Sequence, residues 1–376
     1  MSEKQLLIDQ YVLETPDQCI KNIRNSYTLT LPLVQEYLKQ PYPSVAVVAS
    51  GSSYNACQCA LPFMKKYLKC PVEILTPFTF EHYDSDYVKD SFLFVVSQSG
   101  TSTNAISALK KVKNMNIKAI GISGNLDNDF QDYADLVIDY GVDGEIEPYV
   151  TKGVTTLALF LMLFSLEIAL TKGILNQDCY NIGKMELNKV FEVYNIIQSK
   201  TIIFIDRHIK ELSSLTTTYM CSGGGAMGAA CEGALKFSEL LKIPCIPLEA
   251  EEYIHGYNLQ LSPLHTVFFL DTCIESSERI TSIYQATKKV TDRAYMITVN
   301  PKLIDDPNVI YLSDVPDQIV SSLYCLPFFQ LIAFHITTYN NSLLQHPLLK
   351  DFNQIVSSKS EKYAKDYIRR LNCDFY

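Results

Sequence analysis

The sequence predicts an α/β protein made of two parallel, doubly wound sheets arranged in tandem. Three observations carry that expectation. Short, wholly apolar runs such as 45–48 and 92–96 stop at turns rich in Ser and Gly and restart with helical spacing. Strand-like and helical patterns then alternate along the chain, which implies a parallel sheet with ligands at the carboxyl ends of its strands. The second half also repeats the first. Residues 49–56 line up with 221–228, residues 69–74 meet 242–247 after one inserted residue, and His82 falls opposite His255.

Composition bounds the possible functions. The chain has 376 residues, 47% of them hydrophobic and 19% charged, which fits folded domains with substantial cores. A net charge of −9 argues against nucleic acid as a main partner, although a phosphorylated small molecule needs only a local field. Eleven cysteines follow no regular framework. Cys57 and Cys59 form a lone C-x-C without a His cluster, so neither zinc nor a disulfide scaffold is expected. The amino-terminal residues lack an apolar signal core, and a cytoplasmic protein is expected. Residues 154–170 imitate a membrane span, but the run is short, holds Glu167 and has no basic flank. It reads better as a helix buried against a sheet or in a subunit interface, with no membrane partner.

Taken in order, residues 1–42 read as helical, with a break near Thr15–Pro16. The first domain is placed at 43–182, with strands at 45–48, 72–75, 92–96, 118–122 and 136–139. A helical connector follows at 183–215, although Thr201–Ile205 could pass for a strand by propensity. The second domain is placed at 216–345, with later strands near 267–270, 294–299 and 309–312 and a closing helix from about 317 to 339. Residues 346–376 form a carboxyl-terminal tail.

The stretch that organises this pattern is Ser97-Gln98-Ser99-Gly100-Thr101-Ser102-Thr103. It joins a buried strand to a helix, where free backbone N–H groups and the positive end of the helix dipole favour an anion, most simply a phosphate. An ordinary Ser/Thr helix cap is the alternative. The matching stretch of the second half, 271–278, has no glycine, and its acids would repel a phosphate. One anion loop per chain is therefore expected.

Three further motifs stand out. Gly223-Gly224-Gly225-Ala226-Met227-Gly228 satisfies the G-x-G-x-x-G pattern, with Glu249 near the distance of a ribose-binding acid, so a dinucleotide site is a rival reading. Close helix–sheet packing explains the same glycines. Glu232, Lys236 and Glu239 share one helix face (i, i+4, i+7), either as a solvated ion-pair stripe or as a carboxylate beside a lysine suited to proton abstraction next to a carbonyl. His255 precedes Gly256 in a loop. It is either structural or placed to donate a proton to a ring oxygen.

Together, 50–55, 97–102, Thr151-Lys152, 232–239 and His255-Gly256 resemble the sugar isomerase (SIS) domain family, specifically the tandem pair in the isomerase half of glucosamine-6-phosphate synthase. The resemblance covers roughly residues 20–345. It implies two Rossmann-like three-layer α/β/α sandwiches and a homodimer whose active sites are shared between subunits. It assigns Ser97, Gln98, Ser99 and Ser102 to a phosphate cradle, with Ser102 where threonine is usual. Ser53 matches a sugar-contacting position, and Glu145 a carboxylate that contacts the substrate. Glu239, beside Lys236, matches the base that moves a proton between C1 and C2. His255 matches a ring-opening histidine supplied by the neighbouring subunit.

The sequence has no amino-terminal cysteine or glutaminase domain, so glutamine-dependent synthesis is not expected. The chain is similar instead to stand-alone aminosugar-phosphate deaminase/isomerases and fructosamine-6-phosphate deglycases. The expected enzyme uses no cofactor or metal and acts on a 6-phosphorylated aminosugar or fructosamine. A non-catalytic phosphosugar-binding regulator is the alternative. Lys350 and Lys359 are both candidates for a Schiff-base lysine.

Overall fold

The computed structural model describes residues 7–145, 149–342 and 348–361. Two helices open the chain, α1 (Ile8–Arg24) and α2 (Ser26–Tyr37), separated at Asn25. The break expected near Thr15–Pro16 does not occur, and Pro16 lies inside α1. A proline cannot donate to the carbonyl four residues earlier. That carbonyl, on Val12, accepts instead from the Tyr194 hydroxyl at 3.3 Å.

The first sheet contains β1 (Val45–Val48), β2 (Val72–Leu75), β3 (Phe92–Val96), β4 (Ile120–Ser123) and β5 (Leu136–Asp139), all parallel, in the order β2-β1-β3-β4-β5. Between them lie α3 (Gly51–Leu68), the short α4 (Pro77–Thr79), α5 (Thr103–Asn114) and α6 (Phe130–Tyr133). Two long helices, α7 (Lys152–Thr171) and α8 (Gln177–Leu212), lead to the second half. Thr201–Ile205 lies within α8, so the strand alternative is not realised. The helix kinks at His208.

The second sheet has β6 (Thr218–Ser222), β7 (Cys245–Glu249), β8 (Thr266–Asp271), β9 (Ala294–Thr298) and β10 (Val309–Tyr311), again all parallel, in the order β10-β9-β8-β6-β7. Its helices are α9 (Met227–Lys236), α10 (Ala250–Ile254), α11 (Ser277–Thr287) and α12 (Ser321–Tyr339). A further short helix, α13 (Leu349–Ile355), precedes the last described residues.

The two sheets are copies with the same strand order, and the structure corrects their alignment. Val45 and Thr218, which begin the first strand of each copy, are 173 residues apart. The same spacing separates the left-handed pairs Gly51/Gly224 and Lys69/Lys242. No residue is inserted between the first and second strands of the repeat. The expected alignment of 49–56 with 221–228 is therefore one residue out of register. Over the third strand and the helix after it the spacing becomes 174, so Ser97 corresponds to Asp271 and Thr103 to Ser277.

Both faces of each sheet are buried, which is why the strands read as unbroken apolar runs. Val45, Val47, Phe92 and Phe94 point to an inner core, whereas Ala46, Val48, Leu93 and Val95 point to an outer one beneath α5. Phe268 and Leu270 join the same inner core, so the two sandwiches share it. Within it, α7 is buried from Lys152 to Ala169 and lies against α1, α2, α3 and α12. Its membrane-like composition is thus accounted for by core packing. Glu167 is accommodated there by the hydroxyls of Ser26 (2.8 Å) and Tyr180 (2.5 Å).

Candidate active site

The strand order reverses direction between β1 and β3, and the loops leaving these two strands open a crevice at their carboxyl ends. The loop after β3 forms a hydroxyl cradle. Ser97 Oγ donates to Ser102 Oγ at 3.1 Å, Thr101 Oγ1 donates to Ser99 Oγ at 2.8 Å, and α5 begins at Thr103. Gly100 turns the chain with φ +63°, and a Cβ there would overlap the carboxamide of Asn128. Asn128 is itself fixed by its contacts to Ser123 Oγ and the Phe130 amide.

The loop is tied to its neighbours by Gln98, whose amide donates to Ser53 Oγ at 3.4 Å in the first turn of α3. Its side-chain Nε2 donates to Glu145 Oε2 at 2.5 Å, and its Oε1 is buried without a hydrogen-bond partner among the described residues. Glu145 also accepts from the amides of Thr151, Lys152 and Gly153 at 2.7–2.9 Å, where α7 begins. Burial pushes the Glu145 carboxyl up, against the pull of these four donors. The carboxylate expected to touch substrate therefore caps α7 and orients Gln98. Lys152 points the other way, to Glu14 Oε2 at 3.1 Å and the Asp143 carbonyl at 2.8 Å.

The residue before Ser53 reaches the second half of the molecule. Ser52 Oγ donates to Glu232 Oε1 at 3.0 Å, and Asn55 Nδ2 donates to Glu232 Oε2 at 2.8 Å. Lys236 Nζ lies 3.3 Å from Glu232 Oε1, 3.3 Å from Ser52 Oγ and 2.6 Å from Glu239 Oε2. Glu232 and Lys236 are fully buried, whereas the Glu239 side chain is 29% exposed. Burial works against the Lys236 ammonium, but the two carboxylates outweigh it and hold its pKa above the ordinary lysine value. Burial also pushes the Glu232 carboxyl up, with Lys236 opposing.

The expected single α-helical face is modified here. After Lys236 the helix widens into a π turn, Phe237–Leu241, which ends at the left-handed Lys242. The turn carries Glu239 back against Lys236 and leaves its side chain partly exposed. The first turn of α3 thus joins a hydroxyl cradle to a buried charge cluster that ends in one accessible carboxylate.

Other expected site residues lie elsewhere. His255 caps α10, is exposed, and lies within electrostatic reach of the Glu251 carboxylate. Lys359 is brought to the cradle rather than to Glu239, with Nζ 2.8 Å from Ser99 Oγ and 3.2 Å from Ser102 Oγ. Lys350 falls in α13. The glycines of 223–228 are used for packing. A Cβ on Gly225 would strike the Gln318 carbonyl, and one on Gly228 would lie 2.5 Å from the Cys59 amide nitrogen in α3. The Glu249 carboxylate caps α10 through the amides of Glu251 and Glu252. The surfaces that a pyrophosphate and a ribose would need are therefore already filled. Sequence reasoning did not single out Asn128, the contact that makes Gly100 obligatory. Only the fold brings the two together.

Comparison with known proteins places this geometry. The SIS domain family matches residues 38–166. The first half of the chain thus carries a SIS domain. A glutamine–fructose-6-phosphate aminotransferase (isomerizing) of Caldanaerobacter subterraneus is 26% identical over 302 residues, 78% of this chain and 48% of that protein. The chain spans about half the length of the curated relatives it matches. Among solved structures, a Clostridium difficile protein provisionally titled a phosphosugar isomerase superposes with a TM-score of 0.84 at 23% identity, covering 94% of this chain and 99% of that one. Glucosamine-6-phosphate deaminase of Thermotoga maritima superposes with a TM-score of 0.66 at 17% identity, covering 88% and 94%. These likenesses carry the SIS fold, two parallel five-stranded sheets with surrounding helices.

Proposed function

We propose that this protein is a sugar-phosphate isomerase-type enzyme acting on a 6-phosphorylated aminosugar or fructosamine, coupling aldose–ketose isomerisation to loss of the amine. The observation that carries the reading is the continuous path from the hydroxyl cradle through Ser53 and Ser52 to Lys236 and Glu239. The cradle takes the phosphate and orients the distant reacting carbons by binding energy that takes no part in the chemistry. Glu239 removes a proton from C1 or C2 and returns it to the neighbouring carbon. For a 2-amino aldose, this shift turns the C2 amine into an imine, which water cleaves to a ketose and free ammonia. For a fructosamine the shift runs from C1 to C2, and the C1 imine is cleaved to an aldose and the amine. Lys236, held charged by the carboxylates around it, fixes the position of the Glu239 carboxylate through its 2.6 Å contact to Oε2. His255, exposed at the end of α10, is assigned to ring opening in the cleft of a second copy.

The test is incubation with glucosamine 6-phosphate and with fructoselysine 6-phosphate, followed by assay of released ammonia or lysine. Release of either supports the reading. Saturable binding with no change in either sugar would favour a phosphosugar-sensing regulator.

A further inference from the structure

The carboxyl-terminal segment lies across the hydroxyl cradle as a strap. The Thr103 amide donates to the Ser358 carbonyl at 3.1 Å, Thr103 Oγ1 donates to the Ser357 carbonyl at 3.2 Å, and the Ser360 amide donates to the Thr101 carbonyl at 2.9 Å. Ser102 and Lys359 face each other in an antiparallel bridge. Ser357 Oγ holds the strap's own turn, donating to the Lys359 carbonyl at 2.7 Å and accepting from the Lys359 amide at 3.2 Å. The turn directs the Lys359 side chain inward onto Ser99 and Ser102.

This arrangement places like on like. An ammonium sits beside the amino-terminal end of α5, a 12-residue helix whose first amides already make that end positive. Burial pulls the Lys359 pKa below the ordinary lysine value. A dianion between the ammonium and the helix relieves both effects. The hydroxyl chemistry agrees. Ser99 and Ser102 accept from Lys359, and each hydroxyl retains one proton to donate onward. An ammonium, two hydroxyls and a helix end converging on one point form a phosphate-oxygen site with charge-assisted hydrogen bonds.

We propose that Lys359 is a phosphate ligand of this site, and that the cradle is complete only when residues 357–360 lie across it. The inference rests on the sugar-phosphate reading of the cradle and extends it. The strap supplies a full positive charge and thereby selects phosphorylated over unphosphorylated sugar. Lys359 then belongs to the end of the site remote from Glu239, separate from any bond to the sugar's carbonyl carbon.

Calorimetric titration of the full chain with fructose 6-phosphate tests this. Wild type, Lys359→Met and Lys359→Arg are compared, with near-ultraviolet circular dichroism to verify folding. Lys359→Met should weaken binding at least tenfold and Lys359→Arg should recover most of it. In the wild type, affinity should fall as pH rises toward the ordinary lysine range, and in the Arg variant it should persist. Equal or tighter binding by Lys359→Met would overturn the role of Lys359 and leave the cradle reading intact. An equal loss of affinity for unphosphorylated fructose would also overturn it. Failure of the wild type to bind fructose 6-phosphate, glucosamine 6-phosphate or inorganic phosphate would remove the cradle reading and this inference together.

Discussion

The carboxyl end of β3 and that of β8 occupy the same place in two copies of one fold, and they have been put to opposite uses. In the first copy Ser97 opens a loop of hydroxyls that turns at Gly100 and receives a lysine. In the second, Asp271 takes the position of Ser97 and is 1% exposed. Its Oδ2 accepts from the hydroxyls of Ser277 and Thr298, and its buried Oδ1 has no hydrogen-bond partner among the described residues. The anion there is built into the protein, so the helix end is already occupied. Ile274 stands where Gly100 stands, and it is 75% exposed rather than turned under a neighbour.

The same reversal occurs one helix away. With the corrected register, Glu232 and Lys236 of α9 correspond to Cys59 and Phe63 of α3, both core residues. A buried ion pair is weak evidence for stability, because desolvation of the two charges offsets their attraction. Two charges placed where the sister copy has apolar core fit a functional role better than a structural one. In the proposed reaction one copy holds the ester and the other supplies the proton-transfer group, so that the site needs both halves of the repeat.

The largest effect that sharpens this division is expected from Glu239→Gln. It should lower turnover roughly 10²–10⁴-fold while leaving sugar-phosphate affinity nearly unchanged, in steady-state kinetics and calorimetry respectively. Normal turnover by that variant would remove Glu239 from the chemistry.

Next is Lys236→Met, which leaves Glu232 buried without its cation and should destabilise by about 3–5 kcal/mol in urea unfolding. Glu232→Gln combined with Lys236→Met should recover much of that loss, because the site then approaches the apolar state of Cys59 and Phe63. A double variant as unstable as the single one would contradict the idea that the charges are dispensable for folding.

A smaller effect separates the two loops directly. Ser97→Ala and Ser102→Ala should each weaken fructose 6-phosphate binding about tenfold, as loss of a hydrogen bond to a charged group does. Ser276→Ala, at the position matching Ser102, should leave it unchanged. Equal losses from both loops would erase the distinction drawn between the copies.

The smallest effect concerns Asp271, whose pKa burial raises. A folded-state pKa above the unfolded value contributes stability that is present at low pH and declines as pH rises through the folded value. The wild type should therefore lose some stability on passing upward through and beyond the ordinary aspartate range. Asp271→Asn should not, so the two should diverge toward neutral pH in denaturation at pH 4 and pH 7. Parallel curves would show that Asp271 carries no such penalty.

Much of this organisation is legible in the sequence because it rests on local chemistry. Strands such as Phe92–Val96, buried on both faces, announce themselves as apolar runs, and the loop at 97–103 announces itself by hydroxyls after a strand. The absence of a glycine from 271–278 likewise marks the second loop as different. What the sequence hides depends on partners far along the chain. Pro16 stays inside α1 because Tyr194 reaches the carbonyl it frees. Glu145 becomes a helix cap because α7 begins beside it. Lys359 reaches Ser99 across 260 residues through a strap that no periodicity predicts. The π turn that aims Glu239 is hidden for another reason, since helical spacing presumes 3.6 residues per turn.

The most direct measurement is a crystal structure of the full chain with a hexose 6-phosphate. The phosphate is expected among Ser97, Ser99, Ser102 and Lys359, with C1 and C2 toward Glu239 and nothing bound at Asp271. An ester seated at the second switch point, or one that leaves the hydroxyl loop empty, would contradict this placement.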